Sequence, residues 1–272
     1  VNNDDGLPMI RANYGVGTLA SLFGLKSRIV NDNLPWVDHL EDSSGIKKII
    51  ANGVPDLENG FGKKVIETYE FYNEVLKNYP KCREAIKLYH PDLQGPFDIA
   101  HLIMGPDIYL TIYDDPDFVE DLLQVITKTY IEFMKKIKLY INDEFNGCCH
   151  HWGTLYGGQI VLRDDSPVNL SPQAYKQFVQ KYDEIILKEF KGGSIHFCGR
   201  ADQWIFEMMN TQNLKGLNFG YMPNVEFGQK YLDFISAKLI EKKIPVSGYF
   251  LSADDLETFD FTKYKTGINF VT

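Results

Sequence analysis

The sequence predicts an α/β fold with parallel strands, on the scale of a (β/α)8 TIM-type barrel. Two observations carry this expectation. Short runs with strand patterning alternate with long helical ones, which is how strands joined by crossover helices read along a chain. The chain has 272 residues, and a barrel domain typically needs about 250. No internal repeat, low-complexity tract or linker divides it, so residues 1–272 are expected to form one domain.

The strand candidates, in order, are Pro8–Asn13, Ala85–Leu93, Gly147–Trp152, Gln159–Arg163, Ser194–Cys198, Leu214–Phe219, Ile244–Phe250 and Thr266–Val271. Gly147–Trp152 and Gln159–Arg163 are too close to hold a helix between them, so they read as one bent strand or a small hairpin. Helix signals are sharper. Asp115-Pro116 supplies an N-cap and a first-turn proline ahead of an apolar-periodic run to about Ile141. Ser171-Pro172 repeats the device ahead of a helix to Phe190, and Gly62–Asn78 and Val225–Lys242 are amphipathic. The last pattern is a strand with no helix behind it. A barrel normally ends on a helix, so residues are expected to be missing from one or both ends.

Composition narrows the function classes. A hydrophobic share of 44% and a charged share of 24% are ordinary for a soluble globular protein. No apolar run approaches the ~20 residues of a membrane span, and no signal-peptide pattern opens the chain. A net charge of −9 disfavours nucleic acid and anionic membranes as partners. Cys82, Cys148, Cys149 and Cys198 form no disulfide framework by spacing, which fits a reduced, cytoplasmic protein.

Two stretches carry a family resemblance. The first is Leu93-Gln94-Gly95-Pro96-Phe97-Asp98-Ile99-Ala100, closing at Met104-Gly105 and followed by Asp115-Pro116. The second is Asp164-Asp165, Leu170-Ser171-Pro172 and Ile195-His196-Phe197-Cys198-Gly199, with a weaker echo at Lys215-Gly216-Leu217-Asn218-Phe219-Gly220. In order and spacing these resemble the uroporphyrinogen decarboxylase superfamily, which includes cobalamin-dependent methyltransferases. The resemblance covers roughly residues 85 to 250 and implies a barrel with its site at the strand C-termini. It leaves the reaction open.

His196 and Cys198 stand two apart on a predicted strand, so both side chains point to one face. Imidazole and thiolate together suit zinc. In thiol methyltransferases of the superfamily, a His-x-Cys pair joined by a distant cysteine holds zinc and lowers the pKa of a substrate thiol. The thiolate then takes a methyl group from cobalamin carried by a corrinoid protein. The resemblance implies the same partners here: a corrinoid protein and a small-molecule thiol or methyl donor. This chain departs from that pattern, because no cysteine follows Cys198. The third-ligand candidates are Cys149, His151 and Asp165, or a residue beyond the segment in hand. The bland alternative is a packed histidine beside a small buried thiol.

Asp164 and Asp165 are the catalytic candidates, at a strand end ahead of a capped helix; the same residues can serve as turn and cap groups. Gln94, Arg11, Tyr14 and Trp152 are the substrate-binding candidates. Aromatics at strand ends are, however, commonly core. Cys148-Cys149-His150-His151 looks like a metal cluster, but alternation lets only Cys148 with His150, or Cys149 with His151, converge.

The second functional reading is a cofactor-free decarboxylase acting on a tetrapyrrole with eight carboxylates, with Asp164 as the matching carboxylate. Such a substrate calls for several arginines. The chain has only Arg11, Arg28, Arg83, Arg163 and Arg200, and Arg11-Ala12-Asn13-Tyr14-Gly15 lacks the second arginine of the family's N-terminal Arg-x-Ala-Gly-Arg loop. His-x-Cys-Gly favours the methyltransferase. A non-catalytic barrel that binds a corrinoid or tetrapyrrole is the third reading.

Overall fold

The computed structural model describes residues 6–271 except Val30, Asp32, Pro223, Asn224, Glu226 and Lys265. Its centre is a five-stranded parallel sheet in chain order: Val161–Arg163, Gly193–Cys198, Leu214–Gly220, Val246–Phe250 and Ile268–Val271. Because every neighbouring pair is parallel, the C-terminal ends of all five share one edge. That edge carries Arg163, Cys198 and Gly220.

The closed eight-stranded barrel expected from sequence is not what the described residues form. Met9–Ile10 pairs only with Lys87–Leu88, as a separate two-stranded parallel ladder. One isolated bridge, Gln94 to Arg163, ties that half of the chain to the sheet. The segment expected as a strand from Ala85 begins instead as the end of a helix, Pro80–Ala85, because Pro80 occupies its first turn. Gly147–Trp152 does form a small hairpin, but not with Gln159–Arg163. Its strand, Cys148–His151, pairs antiparallel with Thr154–Gly157 and stands outside the parallel sheet. The local cause is backbone hand: Trp152 and Gly153 have φ of 41° and 81°, which reverses the chain between them.

The helices follow their sequence signals closely. Asp115 accepts a hydrogen bond from the Phe118 amide and caps Pro116–Lys138. Lys135, Lys136 and Lys138 complement the dipole at the other end. Val119, Leu122, Ile126, Tyr130, Phe133 and Ile137 fall on one stripe and are buried. Each such side chain contributes about 1.5–3 kcal/mol by leaving water. Ser171 caps the next helical stretch, where a π-helical turn at Lys176–Gln180 separates Pro172–Tyr175 from Lys181–Glu189. Gly62–Lys77 and Gly228–Lys242 match the two amphipathic predictions; within the second, Glu226 lies outside the described residues.

Candidate metal centre at the strand edge

The strand ending at Arg163 continues one step further, since the Asp164 amide donates to the His196 carbonyl at 2.8 Å. Side chains alternate along this stretch, so Asp164 and Asp165 leave the backbone on opposite faces. Asp165 turns toward the neighbouring strand that carries His196 and Cys198. The ligand atoms of Asp165, His196 and Cys198 all lie within 4.8 Å of one another. His196 Nε2 is 3.6 Å from Cys198 Sγ and 3.8 Å from Asp165 Oδ1.

Each member is held by its surroundings. The Cys198 amide donates to Asp165 Oδ1 at 2.8 Å, while Arg163 and Gln94 donate to Oδ2 at 3.2 and 3.5 Å. His196 Nδ1 meets the amide oxygen of Asn218, whose own nitrogen donates to the Ser247 carbonyl. That second bond fixes which way the Asn218 amide points, so Nδ1 carries the proton and donates. Nε2 is left with its lone pair facing Cys198 and Asp165.

Electrostatics agree with this tautomer. Burial holds His196 below the ordinary imidazole value, and Arg163 adds to the effect, so the ring is neutral near pH 7. Burial works against an ionised Asp165, but the imidazole, Arg163 and the Cys198 amide outweigh it and hold the carboxyl below its usual range. With His196 neutral, Arg163 is the cation that matters. The Cys198 thiol is pushed up to about 12, first by burial and then by Asp165. Without a cation, Cys198 therefore keeps its proton.

The donor set fits a borderline-soft cation such as zinc. Bonds of about 2.0–2.1 Å to nitrogen and about 2.3 Å to sulfur, at a tetrahedral angle, put the two donors about 3.6 Å apart. That is the separation found between His196 and Cys198. Gly220, paired with Cys198 across the ladder, keeps the space beside them clear. A Cβ there would lie 2.6 Å from Cys198 Sγ and 2.8 Å from His196 Cε1.

Asp165 also opens onto a cavity of about 440 Å³ whose walls include Gln94, Asp98, His101, Ser166, His39 and Trp36. A second hollow of about 320 Å³ is lined by Arg11, Asp92 and Arg163, and Trp36 is common to both. Larger hollows of 540 and 590 Å³ elsewhere are lined by none of the three donors.

The remaining sequence candidates separate. Asp164 is fully buried on the opposite face, against Gly95 and close to Asp183, and does not line either cavity at the edge. Gln94 reaches Asp165 as described. Arg11 and Trp152 converge on Asp92, donating to Oδ2 at 2.8 and 3.3 Å. The Trp152 ring also packs 4.8 Å from that of His196. Tyr14 is engaged elsewhere, bonded to Thr68 at 2.8 Å and stacked on Phe61. Cys149 lies in an apolar cluster with Tyr156 and Val161, where burial drives its thiol pKa far up. His151 stands 3.3 Å from Asp92 without hydrogen-bond alignment, and burial holds it down to about 4. Of the three third-ligand candidates, Asp165 is the one beside His196 and Cys198.

Sequence reasoning gave no role to Asn218, Gly220, Asp92, His101 or Ser166. The weak echo at Lys215–Gly220 contained Asn218 and Gly220, but their importance comes from strand register, which only the folded chain displays.

No family model matches the chain, and no curated protein matches it. Among solved structures, a methyltransferase from Methanosarcina mazei is similar in fold, with a TM-score of 0.61 at 16% identity. The likeness covers 89% of this chain and 64% of that one, so the chain spans a little under two thirds of its length. At this identity the likeness speaks to fold alone.

Proposed function

We propose that this chain is a methyltransferase that moves a methyl group from a corrinoid on a partner protein to a small thiol, which binds at a zinc ion held by Asp165, His196 and Cys198. The observation that carries the reading is the convergence of three unlike donors, with the His196 lone pair turned inward by Asn218. The methyl donor and the partner rest on the sequence resemblance, with the fold likeness to a methyltransferase in support. The sheet and its flanking helices are then most of a barrel of the superfamily. A reducing, cytoplasmic setting would keep Cys198 free, and among the described residues no helix is long and apolar enough to cross a membrane.

When bound, zinc supplies Lewis acidity that lets a thiol lie as thiolate near neutral pH. The chain's own residues do the rest. Cys198 gives up its proton to become a ligand, and His196 offers Nε2 without losing one. Asp165 would be the third donor, kept anionic by Arg163. Three protein donors leave a fourth position for substrate, and Gly220 keeps room beside the donors. Asp165, His196 and Cys198 would hold the metal, and a thiol at its open position would be presented as thiolate toward a methyl group carried on a corrinoid.

The decarboxylase alternative is weaker. Arg11 and Arg163 are engaged with Asp92, Arg28 with Asp38 and Arg200 with Asp202, which leaves little guanidinium for a polycarboxylate. Metal analysis tests the proposal directly. Purified wild type should hold about one zinc per chain, and Cys198→Ser should lose most of it with the fold retained. Equal, low zinc in both proteins would remove the centre and leave Cys198 a buried thiol.

A further inference from the structure

A thiol that binds as thiolate must give its proton to something, and the three donors cannot take it. Asp165 is a ligand held by Arg163, His196 Nδ1 is already protonated against Asn218, and Cys198 is itself deprotonated as a ligand. The buried pair Asp164 and Asp183 is sealed from the cavity. The cavity that Asp165 opens onto does hold a suitable group.

Resting on the reading above, we infer that His101, relayed through the Ser166 hydroxyl, accepts the proton that the substrate thiol loses. His101 lies on the helix Pro96–Met104, and Ser166 directly follows Asp165; all three line the same cavity. His101 Nδ1 is 2.8 Å from Ser166 Oγ, within the range of a proton-transferring pair.

Ser166 is fixed in place. Its amide donates to Asp98 Oδ1 at 2.7 Å, and Tyr109 donates to its carbonyl at 2.9 Å. The groups facing His101 are few. The Tyr109 ring packs edge-on at 5.2 Å, His39 shares the cavity wall, and Asp98, one turn back on the same helix, faces the amides of Asp165 and Ser166. Burial and then His39 hold the His101 imidazole below its ordinary value, so it is neutral and basic near pH 7. Asp98 is the rival acceptor, since burial and then Asp165 raise its carboxyl to about 7. Each of its oxygens accepts from a backbone amide, and unmoved His101 signals on thiol binding would give the proton to it instead.

The step balances. The substrate S–H bond breaks, the sulfur keeps the electron pair, and the proton passes to Ser166 Oγ. The Ser166 hydroxyl proton moves to His101 Nδ1, giving an imidazolium that keeps the proton while the anionic thiolate is bound.

The test uses zinc-loaded protein with 2-mercaptoethanol as the probe thiol. Calorimetry in buffers of different ionisation enthalpy counts the protons released at pH 7, and nitrogen-resolved NMR follows the imidazoles. Wild type should release close to zero protons, and His101→Gln about one, with zinc content unchanged. The His101 signals should move to the imidazolium position on thiol binding. His101→Gln should bind the thiol about tenfold more weakly at pH 7, closing the gap as pH rises. Ser166→Ala, a milder change, should show the same trend. Thiol bound at zinc with unmoved His101 signals and equal proton release overturns this inference alone. Wild type that holds no zinc overturns the methyltransferase reading and this inference with it.

Discussion

Asn218 stands opposite His196 across the parallel ladder, and its amide oxygen accepts a hydrogen bond from His196 Nδ1. The relationship sets the imidazole tautomer, and so decides whether Nε2 can be a ligand. Asn218→Ala should lower zinc affinity about 10- to 100-fold, the usual cost of losing such an orienting partner. Asn218→Asp, which still accepts from Nδ1, should retain most of it. Competition against a coloured chelator measures both. Equal affinity in Asn218→Ala and wild type would show that the ring needs no such partner.

Metal binding should also be proton-linked. Burial and then Asp165 push the free Cys198 thiol up to about 12, so at lower pH a proton must leave before sulfur can coordinate. Affinity should therefore rise with pH, by about tenfold per unit for one displaced proton. Chelator competition from pH 6 to 8 gives the slope. A flat profile would mean that Cys198 is not a ligand.

Gly220 offers a steric test. A methyl group there would press on Cys198 Sγ and His196 Cε1, both held by the strand next door. Gly220→Ala should lose zinc while the far-ultraviolet circular dichroism and melting transition stay close to wild type. An alanine variant with normal zinc would mean that the donors adjust freely, and the space beside them would lose its significance.

How much of this was legible in the sequence depends on whether the cause is local. The cap at Asp115-Pro116 and the i, i+2 pairing of His196 and Cys198 are local, and both features read correctly. The opposite facing of Asp164 and Asp165 follows from alternation, but which one turns toward His196 depends on the pleat of a strand only three residues long, Val161–Arg163. A small hairpin at Gly147–Trp152 is one of the two sequence readings, but its partner is Thr154–Gly157 and not Gln159–Arg163, because the turn comes at the positive φ of Trp152 and Gly153. Asn218 was invisible for a third reason. Its role comes from the register between two strands 22 residues apart, and nothing within either strand encodes it.

The last prediction concerns Asp164 and Asp183, both fully buried and paired, with the protonated carboxyl of one donating to the other. Burial raises both pKa values well above the ordinary carboxylate range; Asp183 adds to the effect at Asp164, while the bond from Asp164 partly offsets it at Asp183. In the unfolded chain each would titrate near 3.9. The folded state therefore holds more protons than the unfolded state between that value and the raised one. The stability this contributes is full below about pH 3.9 and is lost as pH rises toward the folded values. Asp183→Asn keeps the shape, cannot ionise, and can donate its amide hydrogen to Asp164. It should flatten the decline and leave the variant more stable than wild type at pH 8, by about 1.5–3 kcal/mol, the range for a hydrogen bond to a charged group. The advantage should shrink toward pH 4, where wild type carries its protons. Urea unfolding at pH 4, 6 and 8 measures the difference. Parallel curves would mean that the pair does not gain its protons on folding, and that its burial is offset by some other contact.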